Sequence, residues 1–208
     1  MKKLGLITLA MLFVAANAMA LTVTYGWEDG GTVLGTYGTV LASNTNQLAN
    51  TGSRSLKLVD NYSGSNTPQA YVAWIKNLQA GDIVTASFWV YDTTPGGSPS
   101  GRIWAHYNNS NSNVNQYDGS AGGNNTYSGS SPWSLLSFSW TMPVGKTGLI
   151  IEARTYSDGQ DTIWVDDLTV TAPDHATIVT PAVPEPGSLL ALASGIIGIA
   201  GIVIRRKN

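Results

Sequence analysis

DTIWVDDLTV, residues 161–170, is the stretch that decides the fold. Side chains of an extended chain alternate between two faces with period two, so Trp164, Asp166, Leu168 and Val170 fall on one face. Asp166 thereby stands in an apolar row. An inward carboxylate is costly unless it is paired or bound to a metal. A second acidic stretch, YGWEDGG at residues 25–31, supplies a partner: Glu28 follows Trp27 at the end of the first apolar run. Glu28 and Asp166, with Asp29 or loop carbonyls, make an oxygen set of the kind calcium takes, so one structural Ca²⁺ is expected there. The same residues also allow Asp166 to cap a hairpin or to pair with Arg54 or Arg154.

Working outward, alternating or continuous apolar runs recur at 21–28, 54–59, 69–78, 82–92, 101–107, 134–142, 148–156 and 162–171, with Gly, Pro, Asn and Ser between them. No window has a helical period. Many short strands without helices in one unit predict an all-β fold, a β-sandwich of the jelly-roll type, with a closed barrel as the alternative. Residues 108–132 form a polar insertion, NNSNSNVNQYDGSAGGNNTYSGSSP, whose Asn, Ser and Gly build no core. Tyr117 and Tyr127 interrupt its linker-like pattern, and it is read as a loop with room for a short hairpin. Residues 173–186 hold four prolines and are read as a strandless spacer. The expected division is thus a signal at 1–20, a sandwich at 21–172, a spacer at 173–186 and a terminal segment at 187–208.

Composition narrows the partners. Between residues 21 and 182 six basic residues (Arg54, Lys57, Lys76, Arg102, Lys146, Arg154) face twelve acidic ones, a balance of −6 that the formal −2 of the whole chain conceals. Nucleic acid is excluded as a partner, because phosphate binding needs a basic surface. All seven Trp and all nine Tyr fall in this region. An aromatic-rich, charge-poor surface suits neutral, hydroxyl-bearing ligands. Cysteine is absent, so disulfides and thiolate metal sites contribute nothing.

The two ends carry addresses. Lys2 and Lys3, an apolar run and Ala18-Met19-Ala20 have the order of a secretory signal, with cleavage expected after Ala20. At the other end stand Pro184, Glu185 and Pro186, then an uncharged apolar run over 187–204, then Arg205, Arg206 and Lys207. Eighteen residues at ~1.5 Å each span roughly 27 Å, just short of a bilayer's ~30 Å core, so a single transmembrane helix is expected. The basic residues keep its end in the cytoplasm and place the preceding chain outside.

This tail resembles the PEP-CTERM sorting signal of bacteria. The resemblance implies an exported surface or matrix protein, often one associated with exopolysaccharide, whose tail is recognised and cleaved by an exosortase-type membrane enzyme. The sandwich resembles the galactose-binding-like jelly rolls, which include several families of carbohydrate-binding module. YGWEDGG, GSRSLKL at 52–58 and DTIWVDDLTV carry that second resemblance. It implies metal-ligand roles for Glu28 and Asp166 and a calcium linking the first and last strands.

A ligand surface is expected from the strand faces. In 82–92, Val84, Phe88 and Val90 point inward and Thr85, Ser87, Trp89 and Tyr91 outward. In 101–107, Arg102, Trp104 and His106 point outward, and in 148–156 Glu152, Arg154 and Tyr156 do so. If these rows share a sheet, rings lie beside hydrogen-bonding charges. Pyranose C–H faces pack on rings while Arg and Glu fix hydroxyls, so Trp89, Tyr91, Arg102, Trp104, His106, Glu152 and Arg154 are the expected polysaccharide contacts. The bland alternative is that these aromatics are core. Catalysis has little support: His106 and His175 are the only histidines, and neither a triad nor an opposed carboxylate pair can be assembled. Three readings follow: a non-catalytic polysaccharide-binding surface protein, a purely structural envelope protein, and remotely an ice-binding protein. The last is disfavoured because the Thr22/Thr24 and Thr169/Thr171 pairs are too few for a Thr array.

Overall fold

The computed structural model describes residues 20–61, 67–92, 101–127, 132–155 and 161–182. The expected signal helix, transmembrane helix and basic tail lie outside these residues, as does Tyr156. Twelve strands are described: β1 (Ala20–Tyr25), β2 (Gly35–Tyr37), β3 (Val40–Thr45), β4 (Ser55–Asp60), β5 (Gln69–Lys76), β6 (Ile83–Asp92), β7 (Arg102–Tyr107), β8 (Ser120–Thr126), β9 (Ser134–Thr141), β10 (Gly148–Arg154), β11 (Thr162–Pro173) and β12 (Thr177–Val179). No helix occurs among the described residues.

The strands form two antiparallel sheets rather than a closed barrel. The first runs β3-β4-β11-β6-β9, with β1 also on β11. The second runs β12-β5-β10-β7-β8, with β2 also on β5. Alternation sends Val84, Ala86, Phe88 and Val90 of β6 inward to meet Ile103 and Ala105 of β7 and Leu149, Ile151 and Ala153 of β10. Each such side chain, fully removed from water, contributes roughly 1.5–3 kcal/mol, which is what holds two sheets face to face without a disulfide.

Two expectations need correction. Residues 173–186 are not strandless: β11 runs on to Pro173, and Thr177–Val179 pairs with Trp74–Lys76 at the edge of the second sheet. Ile178 packs on the core, so an apolar side chain outweighed the proline-rich composition. His175, assigned to the spacer, has its Nε2 2.9 Å from Asp82 Oδ2. Asp166 is also not in register with Leu168. A bulge at 166–167, with Asp167 at φ 50°, breaks the pairing of β11 with β6. One extra residue reverses the alternation, so Ile163 and Val165 face the core before the bulge, and Leu168 and Val170 after it.

The polar insertion is ordered by its own side chains. Asn108 Nδ2 donates to Asn113 O and Val114 O, Ser110 Oγ accepts from Ser112 N and Asn113 N, and Asn113 Oδ1 accepts from Asn115 N. Short Asn and Ser side chains bond nearby backbone in this way and stand in for secondary structure. Lys146 Nζ ties the end of the loop by donating to Asp118 O and Oδ2 at 2.8 Å each. The chain then returns as β8 against β7, so the insertion supplies one strand that pairs outside it rather than a hairpin of its own.

Candidate functional site

The outer face of the second sheet is concave and aromatic. Cross-strand pairing sets Gln69, Arg154 and Arg102 in one row, Tyr71, Glu152 and Trp104 in the next, and Trp74, Ile150 and His106 in a third. A groove of about 550 Å³ lies over the first two rows, within the roughly 300–1,000 Å³ of small-ligand sites. Tyr37 of β2 and Tyr117 of the insertion rise beside it, 60 % and 66 % exposed, with Asn115 and Ser120 completing the wall. Gly35 makes this possible: a Cβ there would lie 2.7 Å from Asn115 Oδ1 and 2.9 Å from Tyr71 Cδ2, so any side chain would push the two apart.

The floor is an electrostatic relay. Glu152 is fully buried, and an unpaired carboxylate there would be prohibitive. Its Oε2 accepts from Arg154 Nε at 2.5 Å, and its Oε1 is hydrogen-bonded to His106 Nδ1. An ionised carboxylate only accepts, so the His106 proton sits on Nδ1. Gln69 closes the set, its Nε2 donating to Glu152 Oε1 and its Oε1 accepting from Arg154 Nη2, both at 3.2 Å. The Arg154 guanidinium also lies 4.7 Å from the Trp104 ring centre, and Trp104 Nε1 donates to Ser120 Oγ at 3.0 Å. Tyr71 stands edge-on to His106 at 5.1 Å, and Tyr117 lies 5.5 Å from the same imidazole. Burial, and then the nearby Glu152 charge, push the Tyr71 hydroxyl up to about 12, so it stays a neutral donor and acceptor. The groove thus presents rings, amides and hydroxyls with Arg154 as the one ionised lining residue among those described.

Of the expected contacts, the structure gathers Arg102, Trp104, His106, Glu152 and Arg154 on this face. It does not bring Trp89 and Tyr91 to them. These belong to β6 of the first sheet and point outward from the opposite side of the sandwich, because inward Phe88 and Val90 take the core positions between them. Sequence reasoning missed Tyr37, Gln69, Tyr71, Asn115 and Ser120. Tyr117 had left a signal as an aromatic ring in an otherwise linker-like stretch.

Glu28 and Asp166 each hold a loop. Glu28 Oε1 accepts from Ser53 N and Arg54 N at 2.9 Å each, and Oε2 accepts from Ser53 Oγ at 2.8 Å. These bonds, that to Ser53 N foremost, hold its carboxyl below the usual range. Asp166 Oδ2 accepts from Asn50 N at 2.8 Å and Thr51 N at 3.2 Å, and Oδ1 accepts from Asp167 N at 2.8 Å. Asp167 takes Asn50 Nδ2 and Thr51 Oγ1. Every oxygen of both expected ligands thus faces a hydrogen, and no group of three or more His, Cys, Asp or Glu suited to a metal occurs among the described residues. The arrangement is that of a loop clamp. Nor does Arg54 pair with Asp166: its Nε donates to Asn44 Oδ1.

Residues 182–207 match the PEP-CTERM protein-sorting motif. Among solved structures, the sandwich is similar to the CBM22-1 xylan-binding domain of Paenibacillus barcinonensis Xyn10C, at 18 % identity over 73 % of this chain and 93 % of that one, with a TM-score of 0.50. It is similar to the CBM22-1-CBM22-2 tandem domain of the same protein at 17 % identity over 85 % and 49 % of the two chains, TM-score 0.50. At these identities the likeness concerns the fold alone, a two-sheet jelly roll. No curated protein sequence matches the chain.

Proposed function

We propose that this is an exported bacterial surface or matrix protein, sorted through its PEP-CTERM motif and an exosortase-type enzyme, whose jelly roll binds polysaccharide without catalysis. The observation that carries the binding reading is the groove in which Tyr37, Tyr71, Trp104 and Tyr117 surround Arg154 and Gln69. Rings take the C–H faces of sugar residues, and the oriented guanidinium and amide meet the hydroxyls. The sorting motif and the jelly-roll fold support the same reading, since both suit a protein that meets extracellular polymer. Glu152 is engaged by Arg154 and His106 and serves to orient the guanidinium, which suits recognition rather than acid catalysis.

Retention on a panel of immobilised polysaccharides, starting with xylan, tests the reading. Wild type is retained on at least one member, and Trp104→Ala loses binding to soluble oligosaccharides of that polymer; no retention across the panel would favour a purely structural envelope role. The mass of the mature protein tests the sorting reading, because loss of residues before 21 and of the segment after the Pro-Glu-Pro reports both cleavages. An intact tail in the final product contradicts exosortase processing.

A further inference from the structure

The outer face of the first sheet lies on the opposite side of the sandwich from the groove. Strand pairing lines up two rows of hydroxyls across four strands: Thr22, Thr171, Thr85 and Ser139 in one, Thr24, Thr169, Ser87 and Ser137 in the next. All eight are exposed or half-buried. Neighbours in a row sit on strands roughly 4.7–4.9 Å apart. Thr22 and Thr171 bond each other at 3.0 Å, and Thr85 and Ser139 at 2.8 Å, which leaves every hydroxyl further capacity to donate or accept. Farther along the same strands rings replace the hydroxyls: Trp89 and Tyr91 on β6, Trp164 on β11, and Trp133 just before β9. The Tyr91 ring lies 5.7 Å from that of Trp133 and 6.0 Å from that of Trp164, and Lys57 Nζ lies 5.3 Å over Trp164.

None of the eight hydroxyl positions or the four rings is ionised, and Lys57 Nζ over Trp164 is a charge beside them.

We propose that this face is a second binding surface, for neutral polysaccharide, directed away from the groove. Charge selects this occupant. With a balance of −6 over residues 21–182, a second copy of the chain or an anionic polymer is repelled, while a neutral polymer is not. Rings and paired hydroxyls together match a ligand that offers C–H faces and hydroxyls. With two binding faces back to back, one domain bridges two polymer strands and gains avidity on an insoluble surface. The proposal does not depend on the groove binding sugar.

The experiment compares the full chain with Tyr91→Ala/Trp133→Ala, with Thr85→Val/Thr171→Val, which keeps β-branching while removing hydroxyls, and with Trp104→Ala in the groove. The probes are insoluble xylan and microcrystalline cellulose, each in two differently labelled particle batches, and a soluble xylo-oligosaccharide. Both surface variants should lose about tenfold in retention on the particles, the scale of losing a ring stack, and should fail to bridge the two batches. Their melting midpoints and oligosaccharide binding should match wild type. Trp104→Ala, by contrast, should lose the oligosaccharide and keep the particles. Surface variants that retain and bridge like wild type overturn the proposal, as does a wild type that binds neither particle. It is equally overturned if wild type sediments as a dimer that the Thr→Val variant dissociates. Trp104→Ala that keeps the oligosaccharide defeats the groove reading alone.

Discussion

Arg154 Nε donates to Glu152 Oε2 at 2.5 Å while the same guanidinium stands 4.7 Å from the centre of the Trp104 ring. Two residues apart on β10, the pair shares the outer face of the sheet, and β7 sets Trp104 directly opposite Glu152. The buried carboxylate fixes the cation, and the cation backs the ring. Glu152→Gln leaves Arg154 without its ionic partner, and removing one member of a buried pair destabilises by about 3–5 kcal/mol. Urea unfolding should show that loss together with weakened polysaccharide retention. A stability equal to wild type would mean that the relay does not hold the floor.

The rim rings act differently. Tyr37 and Tyr117 are largely exposed, so Tyr37→Ala and Tyr117→Ala should change stability by no more than about 0.5 kcal/mol. Each should weaken binding to a retained polysaccharide about tenfold, whereas Leu41→Ala, exposed on the other sheet, should not. Titration calorimetry on the four proteins checks this. Equal affinities throughout would move the ligand off the groove.

Asp166 gives the fold a pH dependence of unusual sign. Burial pushes its carboxyl from 3.8 up to about 6, against the opposing pull of the N–H groups of Asp167, Asn50 and Thr51. Ionisation is therefore harder in the folded chain than in the unfolded one. The contribution of this group is fully present below pH 3.8 and is lost as pH rises through about 6. Melting midpoints of wild type minus Asp166→Asn should fall as pH rises from about 4 to about 7, and a difference that stays flat would contradict the assignment.

Gly52 is the tightest point of the Glu28 clamp. It holds φ +64°, and a Cβ there would lie 2.3 Å from Glu28 Oε1. Gly52→Ala should destabilise by about 1–3 kcal/mol, from the left-handed backbone and from displacement of the carboxylate. Thermal melting reads this directly. Adding a chelator to wild type in the same assay should leave the midpoint unchanged, because the oxygens of Glu28 and Asp166 already face N–H and O–H donors. A lowered midpoint would place a cation among them.

Away from the bulge at 166–167, the period-two pattern by itself determined which residues enter the core, and Phe88, Val90, Ile103, Ala105, Leu149 and Ile151 all lie there. Alternation is a local property of extended backbone, so it is legible without knowing any partner strand. The order of Pro-Glu-Pro, apolar run and Arg cluster was likewise sufficient for the sorting motif. Which outward rows meet is a matter of strand order. Trp89 and Trp104 read alike along the chain, yet the topology sends them to opposite faces. The single bulged residue beside Asp166 turned an apparent inward carboxylate into a loop clamp, because one extra residue reverses every later side chain. In the same way two sparse Thr-x-Thr pairs became two rows of four hydroxyls only when β1, β11, β6 and β9 came side by side. Pairing across long sequence separations sets these neighbourhoods, and no local pattern encodes them.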